Sequence, residues 1–232
     1  DNPSTQQYNL TIMSGTQKMS NYFSLLYEQN NSNYKNTNNN REVISYRNVA
    51  KITKWLDFEF GATLAYQVNN NNGINLSNIQ SWAPHQMLLD ENGQYTNIPN
   101  GMNYLPAMTT VPFDKFPYKF TYNPIEEINN RRITTKSLDT RITGALFIKI
   151  FDGLSLESRA QYEYNNTFNK SYYNENTYTV RSAVNAAATW DKTVGTVTLN
   201  LPKGGFLYQN RSEVKALTVR NQLNYRKSFW KV

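Results

Sequence analysis

Few residues in this chain have the type and spacing for covalent chemistry. His85 is the only histidine and there is no cysteine among 232 residues. A His-dependent triad, a multi-His metal site and a thiolate centre are therefore out of reach. Paired carboxylates are the remaining route to acid–base work. Glu126 and Glu127 are adjacent, and as an extended pair they point to opposite sides. Asp57 with Glu59, and Glu157 with Glu163, share faces but fall in candidate strands, where a solvated or ion-paired wall carboxylate is the simpler reading. Lys203-Gly204-Gly205 lacks the glycine spacing of a phosphate loop. The sequence reads as that of no enzyme, with no cofactor and no metal.

Recognition chemistry is better supplied. Residues 80–122 hold Trp82, His85, Tyr95, Tyr104, Phe113, Phe116, Tyr118 and Tyr122, and a later stretch holds Tyr172, Tyr173, Tyr178, Trp190 and Tyr208. Aromatic faces suit sugar rings or peptide side chains, and neighbouring Asn and Gln offer adaptable hydrogen bonds. The competing reading packs these rings against one another or against a partner. The candidate contacts to a substrate or a lid protein are Trp82, His85, Tyr95, Tyr104, Tyr118, Tyr122, Tyr172, Tyr173 and Trp190. Pro84, Pro99, Pro106, Pro112, Pro117 and Pro124 limit the backbone freedom of the first stretch, which is expected to be ordered.

The elements that must position these rings are strands. Leu56, Phe58, Phe60, Ala62, Leu64, Tyr66 and Val68 alternate without a break with Asp57, Glu59, Gly61, Thr63, Ala65 and Gln67. Period two means a strand with one apolar and one polar face. This run is far longer than the ~5–6 residues of a typical soluble strand and fits a tilted membrane-crossing strand. The pattern recurs, and the fold class is all-β. The reading is an antiparallel transmembrane β-barrel segment with seven long strands, near 6–15, 20–30, 41–52, 56–68, 134–151, 154–166 and 215–230, and no long amphipathic helix.

The connections alternate in length. Those at Gly15–Met19, Thr53–Trp55 and Phe151–Gly153 are tight, whereas Asn30–Asn40 and the long loops 69–132 and 167–214 are rich in Asn, Tyr and Pro. Bacterial outer-membrane barrels alternate short periplasmic turns with long extracellular loops in this way. Hairpin geometry places Lys51 opposite Asp57, Asn48 opposite Phe60, Ile142 opposite Tyr162 and Arg141 opposite Glu163. It also places Ile150 opposite Leu154 across a three-residue loop, with Gly153 left-handed. The lipid-facing alternation is expected to be free of charges. Seven strands are too few to close a barrel, whose minimum is about eight. The chain therefore reads as a segment of a larger barrel whose start is internal or already processed.

Composition agrees. Aromatic residues make up 14% of the chain, 17 of them Tyr, which suits aromatic girdles at both membrane interfaces. Mean hydropathy is −0.69, and no run of 18 apolar residues exists to form a membrane helix. The formal net charge of +7 comes from basic residues scattered singly, including Lys18, Lys35, Lys51, Lys149 and Lys170, so nucleic acid is not expected as a partner. Arg131-Arg132 could attract anionic lipopolysaccharide.

Several runs resemble one family in the right order. RNQLNYRKSFW at Arg220–Trp230, LPKGG at Leu201–Gly205 with Arg211-Ser212, and the hairpin Tyr8–Tyr27 are similar to motifs of SusC/RagA-type TonB-linked outer-membrane proteins. So are KITKWLDFEFG at Lys51–Gly61, Asn123-Pro124-Ile125 and Asp90-Glu91-Asn92-Gly93. The resemblance implies a barrel of about 22 strands filled by a plug. It implies energised import of oligosaccharide or peptide across the outer membrane of a Bacteroidetes-type Gram-negative bacterium, with outer-membrane lipid around it. The implied partners are a SusD-like surface lipoprotein lid and the TonB complex, reached through a plug region that this chain does not contain. The alternative is a soluble extracellular β-rich glycan-binding or adhesive module.

Overall fold

The alternating runs form seven antiparallel strands in a computed structural model that describes residues 2–74, 82–98 and 113–227. Tyr104, Pro99, Pro106, Pro112 and the Phe229-Trp230 end of the last motif lie outside the described residues. The strands are β1 (Ser4–Gly15), β2 (Met19–Asn31), β3 (Thr37–Lys51), β4 (Leu56–Asn71), β5 (Arg131–Phe151), β6 (Leu154–Tyr173) and β9 (Phe206–Tyr225). They lie side by side in the order β1-β2-β3-β4-β5-β6-β9, a meander in which β1 and β9 are the free edges of the described sheet. A two-stranded hairpin, β7 (Thr189–Asp191) with β8 (Thr196–Thr198), sits in the connection from β6 to β9.

Register turns the alternation of single strands into two continuous faces. Ile12, Phe23, Tyr46, Ala62, Ile142, Tyr162 and Leu217 form one row across all seven strands. The row one residue along holds Tyr22, Arg47, Gly61, Thr143, Gln161 and Thr218 and points to the other side. Phe58, Phe60, Leu64, Leu146, Ile148 and Leu156 share the apolar face. Among the described residues nothing covers that face: Leu10 is 53% exposed, Ile12 54%, Leu146 40% and Leu217 72%. Contiguous exposed apolar surface on this scale marks a surface meant for something other than water. No helix among the described residues is long and apolar enough to cross a membrane, which does not bear on crossing by strands.

Several expectations are corrected. The Asn-rich stretch Asn30–Asn40 is mostly strand, leaving only residues 32–36 as a connection. Asn has low strand propensity, but here side-chain amides pair across strands, as where Asn70 Nδ2 donates to Asn38 Oδ1 at 2.8 Å. Strands also extend further at the other loop ends, so the long connections shrink to residues 72–130 and 174–205. Both contain structure: α1 (Pro124–Asn130) and a 3-10 turn (Phe113–Lys115) in the first, α2 (Tyr178–Ala187) with the β7–β8 hairpin in the second.

At the β5–β6 turn, Phe151 rather than Ile150 faces Leu154, and Lys149 faces Ser155. Ile150 is an extra bulged residue, and Asp152-Gly153 alone makes the turn. Gly153 has φ 90°, and a Cβ there would collide with the Arg226 carbonyl. Lys51 faces Asp57, Asn48 faces Phe60, Ile142 faces Tyr162 and Arg141 faces Glu163, as the hairpin reading requires.

The apolar face is not free of charge. Glu42, Arg132, Lys136, Lys170, Arg211 and Glu213 stand on it toward the loop ends of their strands, and Lys215 stands in the middle of β9. Lys215 lies 5.8 Å from the centre of the Tyr164 ring, a cation–π contact that lets its stem follow the apolar surface. Asn48, a polar residue in mid-face, donates to Asn21 Oδ1 at 2.7 Å, and the Tyr46 hydroxyl donates to the same oxygen at 3.0 Å. The Asn48 amide N–H thus has a partner on the neighbouring strand.

Candidate functional site

The polar face is built as a charge-balanced wall. Glu59 on β4 pairs with Arg47 on β3 at 3.1 Å and with Arg159 on β6 at 3.7 Å. Arg159 reaches Glu157 at 3.3 Å, and Glu157 meets Arg220 on β9 at 3.4 Å. A chain of five alternating charges thus runs across the sheet. Nearer the loops, Arg141 Nε pairs with Glu163 at 2.8 Å, and Gln161 donates to the same carboxylate at 2.8 Å. Lys51 and Asp57 face one another in register without forming an ion pair. A hollow of about 750 Å³ opens on this face, lined by Tyr22, Arg47, Glu59, Thr143, Arg159 and Gln161. It offers guanidinium, carboxylate and amide hydrogen bonds.

At the loop end the two long connections lock together. Asn123 caps α1, accepting from Ile125 N at 2.9 Å, and Pro124 fills the first turn where its missing N–H costs nothing. The Asn123 amide also donates to Leu88 O at 2.7 Å and Thr96 O at 2.9 Å, tying residues 82–98 to the helix. α1 turns both Glu126 and Glu127 into the loop interior, which corrects their reading as an extended pair. Glu126 pairs with Arg181 of α2 at 3.1 Å and with Lys119 at 3.1 Å. Glu127 accepts from Tyr178 N at 2.7 Å and from the Thr179 hydroxyl at 3.0 Å. Its charge therefore sits at the positive end of α2.

Thr177 caps the same helix, and Val180 and Val184 are fully buried one turn apart, as is Ile98. Asn185 brackets Tyr118, donating to its carbonyl at 2.8 Å and accepting from its N–H at 3.2 Å. Lys115 Nζ donates to Gly195 O at 2.7 Å, tying the 3-10 turn to the β7–β8 hairpin.

The candidate aromatic residues fall in several places. Tyr118 and Tyr122 belong to the loop–loop contact, with Tyr122 edge-on to Tyr178 at 5.4 Å. Burial, and then the charge of Glu127, raise the Tyr122 hydroxyl above its ordinary pKa, against the opposing pull of Arg131. Tyr118 donates to Glu175 at 3.2 Å. Trp82 lines a separate hollow of about 400 Å³ with Tyr34, Leu88, Ile125 and Ile128. His85 is exposed, and so is Tyr95, whose hydroxyl accepts from Asn129 at 3.2 Å. Tyr172 stands on the apolar face of β6, whereas Tyr173 on the opposite face packs edge-on to Tyr208 at 6.0 Å. Trp190 in β7 has Lys192 5.6 Å from its ring centre.

The residues that organise the loops, Arg181, Glu126, Glu127 and Asn185, were missed as a group. The signals were present in Asn-Pro-x-Glu at 123–126, a helix start, and in Thr177 followed by a run to Ala188 without Gly or Pro.

No family model and no curated protein matches the chain. Among solved structures, the fold is similar to a chain of the RagAB peptide importer in its "closed-closed" state, with a TM-score of 0.50 and 19% sequence identity. The similarity covers 74% of this chain and 18% of that one, so this chain spans less than a fifth of the importer chain. At such identity the likeness is one of fold.

Proposed function

We propose that this chain is a wall segment of an outer-membrane transporter that imports oligosaccharide or peptide. The observation that carries the reading is the contrast between the two faces of one long-stranded sheet. On β5 the uncharged outward run Leu138–Ile148 extends about 33 Å at ~3.3 Å per residue, or about 25 Å when tilted by the ~40° of barrel strands, which matches the apolar band of such barrels. The reverse face carries the ion-paired wall and the hollow, as a lumen would. The free edges of β1 and β9 would pair with further strands, because unpaired backbone in lipid costs several kcal/mol per group.

The fold likeness to an importer chain, and the motif resemblance to SusC/RagA-type proteins, support the transport reading. The interlocked loops would form the mouth, with exposed His85, Met87 and Tyr95 available to a SusD-like lipoprotein. Coupling to TonB would run through a plug outside these residues. The test is fractionation of the native protein. Recovery in the outer-membrane fraction, released only by detergent, is expected. A monodisperse soluble monomer without detergent overturns the reading in favour of a secreted binding module.

A further inference from the structure

The basic residues are scattered in the sequence, yet the fold gathers four of them. Arg132 and Lys136 on β5, Lys170 on β6 and Arg211 on β9 stand together on the apolar face at the loop end of the sheet. Lys170 is in register with Thr134 on one side and Gln209 on the other. Arg132, Lys136 and Arg211 are therefore its diagonal neighbours, about 7–8 Å away. All four are exposed. Arg211 is balanced by Glu213 at 3.0 Å. Arg132, Lys136 and Lys170 have no ion pair or side-chain hydrogen bond among the described residues. Like charges this close repel one another, and an anion between them would relieve the repulsion. Arg131, the other half of the pair noticed in the sequence, is not part of this cluster: its guanidinium donates to the carbonyls of Asn72 and Gly73 at 2.8 and 2.7 Å.

Two neighbouring features narrow the anion. On β5, Lys136 follows directly after the uncharged run that ends at Leu138, so the cluster starts where an apolar band of about 25 Å gives out. Beside it, on the same side, lies a polar hollow of about 370 Å³ lined by Asn36, Asn38, Asn70, Asn72, Arg132 and Thr134. Apolar surface, cations and amide groups follow one another in the order of acyl chain, phosphate and sugar hydroxyl in an amphiphile.

We propose that this cluster is a binding site for a phosphorylated glycolipid of the leaflet facing the loops. The proposal rests on the membrane-wall reading. Each Lys or Arg near an anionic membrane surface strengthens binding by roughly fivefold.

The test compares the full-length protein with the R132Q/K136Q/K170Q/R211Q variant. Each is inserted into phosphatidylcholine vesicles with or without a minor fraction of diphosphoryl lipid A, and lipid retained after mild detergent extraction is counted by native mass spectrometry. The expected result is equal insertion of both proteins into phosphatidylcholine, with about a hundredfold weaker lipid A retention by the variant, roughly fivefold for each of the three cations that no carboxylate balances. Lys170→Gln alone, a surface change that leaves the strands paired, is expected to weaken retention about fivefold. Undiminished lipid A retention by variants that insert normally overturns the site and leaves the wall reading intact. Displacement of lipid A by inorganic phosphate at matched concentration overturns the glycolipid assignment in favour of a simple phosphate site. Failure of the unmodified protein to insert into either vesicle overturns the wall reading itself.

Discussion

Glu59 and Arg159 meet at 3.7 Å across the full width of β5, because the residue between them in register is Ala145. Ala145 is 1% exposed, roofed over by the two long side chains. A larger residue would part the ion pair and crowd the wall. Ala145→Leu is expected to lower stability by about 1–3 kcal/mol, the usual cost of overpacking. Urea unfolding of the detergent-solubilised protein checks this; an unchanged midpoint would show that the pair does not depend on the gap.

Leu146 and Thr143 lie on opposite faces of β5. Leu146→Arg places a cation on the uncharged run and is expected to cost about 2–4 kcal/mol in a membrane. Thr143→Arg places it among the carboxylates of the opposite wall and should cost far less. Refolding into vesicles under denaturant measures both, and equal losses would contradict the facing.

The Arg181 side chain is 3% exposed, with Glu126 as its carboxylate partner. Removing that charge leaves a buried cation unpaired, which typically costs about 3–5 kcal/mol. Glu126→Gln is therefore expected to loosen α2 without unfolding the sheet. Hydrogen exchange should speed up across residues 178–187 and stay slow in β4 and β5. Unchanged exchange in α2 would show that the pair is not what holds the loops.

Tyr122 should give the loops an alkaline limit. Its hydroxyl is held above the ordinary value of 10.0 in the folded protein, so folding favours the protonated form. That contribution is complete below about pH 10 and is lost as pH rises through the raised value. Tyr122→Phe should remove this part of the alkaline loosening, read as hydrogen exchange in residues 118–130 against pH.

The sheet was legible in the sequence and the loops were not, for a physical reason. Alternation from Leu56 to Val68 is a local property that survives folding, and hairpin counting then placed Arg141 against Glu163. The Asn-rich strand ends were misread because Asn is a poor strand former until a partner amide faces it, as Asn38 faces Asn70. The Glu126–Arg181 pair joins residues 55 apart in sequence, and no local pattern announces such a contact. The Arg132–Lys136–Lys170–Arg211 cluster exists only in register, across three strands. The candidate rings were chosen by type, and type alone did not separate Tyr122, packed edge-on against Tyr178 of α2, from exposed His85.

The most direct test of the wall reading uses the natural absence of cysteine. Single cysteines are placed in turn along 138–148 of β5, each is labelled with a nitroxide in vesicles, and collision rates with oxygen and with a water-soluble nickel chelate are measured. Oxygen-dominated collisions are expected at Leu138, Ile142, Leu146 and Ile148, and chelate-dominated collisions at Asp139, Arg141 and Thr143, alternating residue by residue. Chelate access to both sets, or oxygen and chelate both excluded from the apolar set, would contradict a lipid-facing wall.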